Sequence, residues 1–350
     1  MAGPLCGVFH VLGRTTDDSD KQTAHLGSYR ARDGSPGATV HLDLNRPHAG
    51  LLVGKRGYGK SYTLGVLAEE LVQASGVAPV VADPMGVFES LADLDGIELV
   101  SCPRVVPDSL APRTWCDLLG LDPDSPSGTV VWRAAAKRQT LAGMREFVAE
   151  IDAPSEITRA ADNHLELAAS WGVFDSNGVT PTDLLTRSGS VLDLSGFDRA
   201  PANAVVSAVA RGLYQHCVRQ TPERLPWLLL DEAHTFFGGV AETALRTVLT
   251  RGRQPGVSFV AATQRPSALP EVAISQADLL VAHRLTSRVD LDALAEARPT
   301  YVAEPLDTRL PERPGEVVVV DDATESTHAL RIRERETPHG GAGRRAAELS

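Results

Sequence analysis

Gly54-Lys55-Arg56-Gly57-Tyr58-Gly59-Lys60-Ser61 is the stretch whose reading decides the fold. It meets the pattern G-x-x-x-x-G-K-[ST] at every fixed position. Before it, Ala49 to Val53 reads as a short buried strand; after it, Leu64, Leu67, Leu71 and Val72 fall at helical spacing. Gly57 and Gly59 let the backbone turn tightly and aim its N–H groups at phosphate oxygens. The helix N-terminus adds partial positive charge. In such a loop Lys60 reaches the β- and γ-phosphates and the Ser61 hydroxyl holds Mg²⁺. The expected nucleotide-binding set is Gly54, Lys55, Arg56, Gly57, Tyr58, Gly59, Lys60, Ser61 and Tyr62, with ATP and Mg²⁺ as cofactors.

A chain of 350 residues with 43% hydrophobic content can bury a sizeable core. No apolar run approaches membrane-spanning length and no secretory leader pattern opens the chain, which points to the cytoplasm. Cys6, Cys102, Cys116 and Cys217 form no C-x-x-C pair and read as unpaired thiols, mostly in the core. The formal net charge is −11, and lysine occurs only at Lys21, Lys55, Lys60 and Lys137. Such a balance argues against a protein coated in DNA-binding surface but leaves room for a local basic channel. A salt-rich cytoplasm and a GC-rich genome explain the arginine bias equally well.

Outward from the loop, residues 1–44 read as an N-terminal segment with strands near Val8–Leu12 and Thr39–Leu44 and a polar, mobile stretch from Thr15 to Asp20. The catalytic core is expected over 45–333. Ala78–Asp83, Gly96–Val100, Gly189–Leu194, Pro226–Asp231, Val257–Thr263 and Ala277–His283 are its further buried strands, and Gly315–Val320 with His328–Ile332 forms a closing hairpin. Between about 103 and 187 the pattern turns helical, with helices over Val130–Ile151 and Ile157–Trp171; this is an insertion. Its Arg133, Lys137, Arg138 and Arg145 suit either DNA or, more simply, solvent. The remainder, 334–350, reads as a flexible tail. Apolar strands alternating with helices predict an α/β fold with a mostly parallel sheet and ligand at the carboxyl strand ends.

Leu228-Leu229-Leu230-Asp231-Glu232 ends an apolar strand in two acids, the form of a Walker B element. Asp231 would hold Mg²⁺ and Glu232 would act as general base on the attacking water. Gln264, at the next strand end, suits a γ-phosphate sensor. Arg251 and Arg253 close a helix, where cations offset the dipole, or they act as arginine fingers toward a neighbouring subunit. Asp231-Glu232-Ala233-His234 also spells a helicase box, but Lys60 and Asp231 stand too far apart in the chain for that superfamily.

The ordered set Gly54–Leu67, Leu228–Phe237, Arg251–Gly256 and Ala262–Leu269 resembles the HerA/FtsK class of P-loop ATPases, most of all its HerA-type branch. The stretch through Ser275-Gln276, Ala282 to Leu285 and Asp290 adds to it. The resemblance implies a RecA-like core, a hexameric ring with ATP between subunits, and double-stranded DNA threaded through the pore. A partner nuclease and helicase or translocase activity are implied with it. By motif position it makes Lys60, Ser61, Asp231, Glu232 and Gln264 the site, with Arg251 or Arg253 acting in trans. The family's N-terminal β-barrel is missing or reduced to a remnant in residues 1–44, and Gln254 stands where the family usually has a basic residue. A nucleotide-switched module regulating a protein partner is the alternative. A motor working at a membrane would need a membrane-bound partner.

Overall fold

The computed structural model describes residues 9–15, 22–31, 35–297, 300–302 and 306–340. Twelve strands make one sheet: β1 (His10–Leu12), β2 (Thr23–Arg30), β3 (Pro36–Asp43), β4 (Ala49–Val53), β5 (Val77–Asp83), β6 (Ile97–Ser101), β7 (Gly189–Asp193), β8 (Leu225–Leu230), β9 (Ser258–Thr263), β10 (Leu279–Ala282), β11 (Glu316–Asp321) and β12 (Ser326–Ile332). The order is β1-β3-β2-β12-β11-β10-β4-β9-β8-β5-β7-β6. From β10 to β6 every pairing is parallel, whereas β10–β11, β11–β12, β12–β2 and β2–β3 are antiparallel.

Period-two alternation assigns the central strands to two cores. Leu51, Val80, Leu228, Leu230 and Phe259 face one layer, while Leu52, Val81, Leu229 and Val260 face the other. Helix α1 (Lys60–Gln73) covers the second face with Leu64, Leu67 and Leu71. Between β6 and β7 come α2 (Pro112–Leu118), α3 (Pro126–Lys137), α4 (Leu141–Glu150), α5 (Ser155–Ser170) and α6 (Pro181–Thr186). On the first face they join α7 (Arg199–Arg219) and α8 (Glu242–Arg251); α9 (Glu271–Ser275) and α10 (Arg288–Glu296) complete it.

The single helix expected over Val130–Ile151 is two, α3 and α4. Thr140 caps α4 by accepting from the Gly143 N–H, and such a cap starts a new helix rather than continuing one. Arg145 is gripped by both oxygens of Asp162, at 2.7 and 3.0 Å, so within the insertion this cation is already partnered. Among the described residues no helix is long and apolar enough to cross a membrane.

The described part of the N-terminal segment, on the near side of the boundary expected at residue 44, adds strands to the sheet of the core. β2 pairs with β12, and Leu26, Val40 and Leu42 share the core layer of α1. The polar stretch at 16–20 lies outside the described residues, as does the tail from 341.

The tail expected to be flexible from 334 is pinned as far as Gly340, because it meets a buried carboxylate. Glu69, on α1, is fully buried and accepts from Arg333, Arg335, the Glu336 and Thr337 N–H groups and the Thr337 hydroxyl. Burial would raise the Glu69 pKa; the bonds from Thr337, Glu336 and Arg333 outweigh it and hold the carboxyl below its ordinary value. Arg335 lies flat on the helix because residue 65 is glycine: a Cβ there would sit 2.7 Å from the guanidinium. Glu69→Ala leaves the buried Arg335 guanidinium without its carboxylate and Arg333 with Glu70 alone, and we expect a loss of about 3–5 kcal/mol in urea denaturation.

Candidate active site

The turn from β4 into α1 forms the floor of the site. Gly57 (φ +79°) and Gly59 (φ +103°) hold left-handed backbone, and a Cβ at Gly57 would meet nothing within 4 Å, so open space lies in front of the loop. Two contacts fix the loop from behind. Lys55 N–H donates to the Arg284 carbonyl at 2.8 Å, and a Cβ at Gly54 would lie 2.5 Å from His283 Cβ. His283 is buried beneath it and bonded to Thr63 Oγ1 at 3.1 Å; burial, with Lys60 nearby, pushes its pKa down to about 3. A neutral imidazole therefore supports the loop without competing with Lys60 for anions.

Lys60 Nζ is turned back on the loop and donates to the Lys55 carbonyl at 3.3 Å. Burial lowers its pKa, against the pull of Glu232 and Asp231. Ser61 Oγ donates to Asp231 Oδ2 at 2.8 Å. Asp231 follows β8 directly and is almost wholly buried; burial pushes its pKa up to about 6, with Glu232 adding to the rise and Ser61 opposing it. Glu232 has left-handed backbone (φ +45°), uncommon for a side chain other than glycine and typical of sites that hold strain for a purpose. Its pKa is raised by burial, with Lys60 and Arg56 pulling the other way. Glu232 Oε2 is buried and makes no hydrogen bond.

These groups open onto one cleft of about 910 Å³. Arg56, Gly57, Gly59, Lys60, Ser61, Tyr62, Asp231 and Glu232 line it, so residues of the loop and the acid pair face the same space. Gln264 does not line it. It stands just past β9, between the strand leading into the loop and the strand bearing Asp231, but half-buried in the turn beyond. Arg251 and Arg253 are exposed at the opposite edge. α8 runs back across the sheet from the Asp231 end, and Gly256, just beyond, packs on Leu225 at the start of β8. Neither arginine reaches the cleft of its own chain.

Several cleft residues escaped the sequence reading. Tyr29, Arg313, Arg331, Arg333 and His339 line the far wall, brought there by β2, the turn into β11, β12 and the pinned tail. Only the alternating charge of Arg331 to Glu336 hinted at them, and it resembles a solvated strand end. Asp83 ends β5 beside Asp231; burial pushes its pKa up to about 6, and its oxygens accept from the Met85 and Phe88 N–H groups.

The family described as "Helicase HerA, central domain" matches residues 24–213. The chain belongs to this family. It is a P-loop ATPase of the HerA type, and its fold recurs in solved structures. VirB4 of Thermoanaerobacter pseudethanolicus superposes with a TM-score of 0.71 at 16% identity, over 93% of this chain and 98% of that one. The bacterial conjugative coupling protein TrwB superposes at 0.60 with 15% identity, over 86% and 88%. TrwB in complex with ADP and Mg²⁺ gives 0.59 at 16%, over 84% and 87%. At these identities the likeness speaks for the fold, here the RecA-like α/β core. No curated protein matches the sequence.

The raised Asp231 pKa carries a sign. A carboxyl with a higher pKa folded than unfolded stabilises the fold below about pH 4 and loses that contribution as pH rises through about 6. Asp231→Asn should therefore make the nucleotide-free protein more stable above pH 6, by up to about 3 kcal/mol. The gain should vanish toward pH 4 in paired denaturation series.

Proposed function

We propose that the chain hydrolyses ATP with Mg²⁺ and uses the energy to move double-stranded DNA, as a subunit of a hexameric ring in the cytoplasm. The convergence of Lys60, Ser61, Asp231 and Glu232 on one cleft carries this reading. The residues fit the ligands. The loop offers N–H groups and open space in front of Gly57, and the buried Asp231 carboxylate with the half-buried Ser61 hydroxyl, 2.8 Å apart, is an oxygen pair of the kind that binds a cation. Among the described residues no cluster of three or more His, Cys, Asp or Glu could hold a metal alone. That suits Mg²⁺, which is commonly bound through one or two protein oxygens plus substrate phosphates and water.

When bound, Mg²⁺ supplies positive charge to the phosphate oxygens; Ser61 Oγ and Asp231 would hold it. Lys60 leaves the Lys55 carbonyl for the β- and γ-phosphates. Tyr62 and the backbone from Gly54 to Gly59 complete the cradle. Glu232 accepts the proton of the attacking water, its raised pKa bringing it nearer the range useful to a base. Gln264, which does not line the cleft, would turn in from the end of β9 to sense the γ-phosphate. Arg251 or Arg253 serves the neighbouring subunit, in keeping with their place on the far edge. The domain reading is one ATPase body with the helical insertion at 103–187, and a nuclease is the partner proposed.

A nucleotide-switched module acting on a protein partner is the second reading, favoured by the net charge of −11. ATP hydrolysis with and without long double-stranded DNA separates the two. The motor predicts strong stimulation by DNA; turnover indifferent to DNA selects the switch. Glu232→Gln should cut turnover by about two to four powers of ten. Arg253→Ala or Arg251→Ala should cut it by about three to five powers of ten while nucleotide still binds. Unchanged turnover in both removes the finger assignment.

A further inference from the structure

Between Glu232 and the end of β9 stands one side chain with two suitors. His234 Nδ1 lies 3.3 Å from Glu232 Oε2 and 3.3 Å from Thr263 Oγ1. Thr263 is the last residue of β9, fully buried, and its oxygen already accepts the Arg265 N–H at 3.0 Å. Its hydroxyl proton is therefore available to the imidazole. Glu232 is held close by its own backbone, the left-handed turn leading into the short 3₁₀ segment Ala233–Thr235.

We infer that His234 is a positioning residue that ties the orientation of the Glu232 carboxylate to the end of β9. The inference rests on the reading of Glu232 as the general base. A neutral imidazole presents at Nδ1 either a proton or a lone pair. With the lone pair there, Thr263 donates to it and Glu232 Oε2 is left unpaired, as the structure shows. With the proton there, His234 donates to Glu232 and fixes the carboxylate. The two bonds exclude each other, so a shift of β9 that loosens Thr263 frees the imidazole for Glu232. Gln264 is the next residue after Thr263, so contact with a γ-phosphate there would move the strand end that the histidine reads. Burial, Arg265 and Lys60 all keep the ring neutral, which the exclusion requires.

The test compares wild type, His234→Ala, His234→Asn, Thr263→Val and Glu232→Gln for single-turnover hydrolysis, affinity for a fluorescent ATP analogue, and melting temperature. We expect His234→Ala to lose about 10- to 100-fold in rate, part of the contribution of a general base, with affinity within about twofold. Asparagine, which can present an N–H near the same place, should restore part of the rate. Adding His234→Ala to Glu232→Gln should cost nothing further, because the histidine acts only through that carboxylate. Thr263→Val, which removes the competitor, should leave the rate equal to or above wild type. A His234→Ala rate within twofold of wild type, beside an inactive Glu232→Gln, overturns the inference and spares the base assignment. A loss that tracks affinity and melting temperature and is not rescued by asparagine makes the residue merely structural and also overturns it. Full activity in Glu232→Gln shows instead that the base assignment itself is wrong.

Discussion

The hydrogen bond from Ser61 Oγ to Asp231 Oδ2, 2.8 Å long, is the joint on which the rest of the site turns. It ties the first turn of α1 to the end of β8, two strands away across the sheet. The bond forms only if the loop reverses in the space that Gly57 and Gly59 allow, and only if β8 delivers its acid at the same height as the loop. Parallel pairing through β9 sets that height, with Leu51 opposite Ala261 and Leu230 opposite Ala261 from the other side. Every carboxyl strand end from β10 to β6 therefore shares one edge, and ligand chemistry concentrates there.

Much of this was legible in the sequence. The loop signature, the apolar run into Asp231-Glu232 and the alternation of strands with helices specify the parallel half of the sheet, because buried parallel strands are nearly continuous in hydrophobicity. The β11–β12 hairpin was legible from the apolar run Val317 to Val320 with a second short strand close behind it. The pairing of β2 and β3 with β12 was not: it depends on contacts between residues hundreds of positions apart, such as Leu330 with Tyr29. No local period encodes which edge a strand joins. The pinned tail was hidden too, since Arg333-Glu334-Arg335-Glu336 has the composition of a solvated end. Its order comes from Glu69, an acid inside a helix whose neighbours gave no reason to expect burial.

Strand β2 and the segment that follows β12 thus meet on the P-loop helix. His25 N–H donates to Glu70 Oε2 at 2.7 Å, and Arg333 Nη2 donates to Glu70 Oε1 at 2.8 Å. Arg335 N–H donates to the Tyr62 hydroxyl at 2.6 Å, one residue from Ser61. A segment that looks peripheral in sequence is in this way within one side chain of the loop. The far wall of the cleft is built from the same pieces, so α1, the tail and the β2–β3 hairpin hold one another in place.

The electrostatics of the site follow from that rigidity. Asp83 and Asp231 end neighbouring strands; burial pushes the pKa of each up to about 6, and Asp231 adds to the rise at Asp83. Lys60 offsets this only in part: its charge lowers the Asp231 pKa, but its ammonium is bonded to the Lys55 carbonyl and burial outweighs it. Two buried acids that cannot move apart are a standing cost that a bound cation would remove. A flexible site would relax by letting the acids reach water. One fixed by a continuous sheet cannot, so a cation at Ser61 and Asp231, as proposed above, would offset that cost.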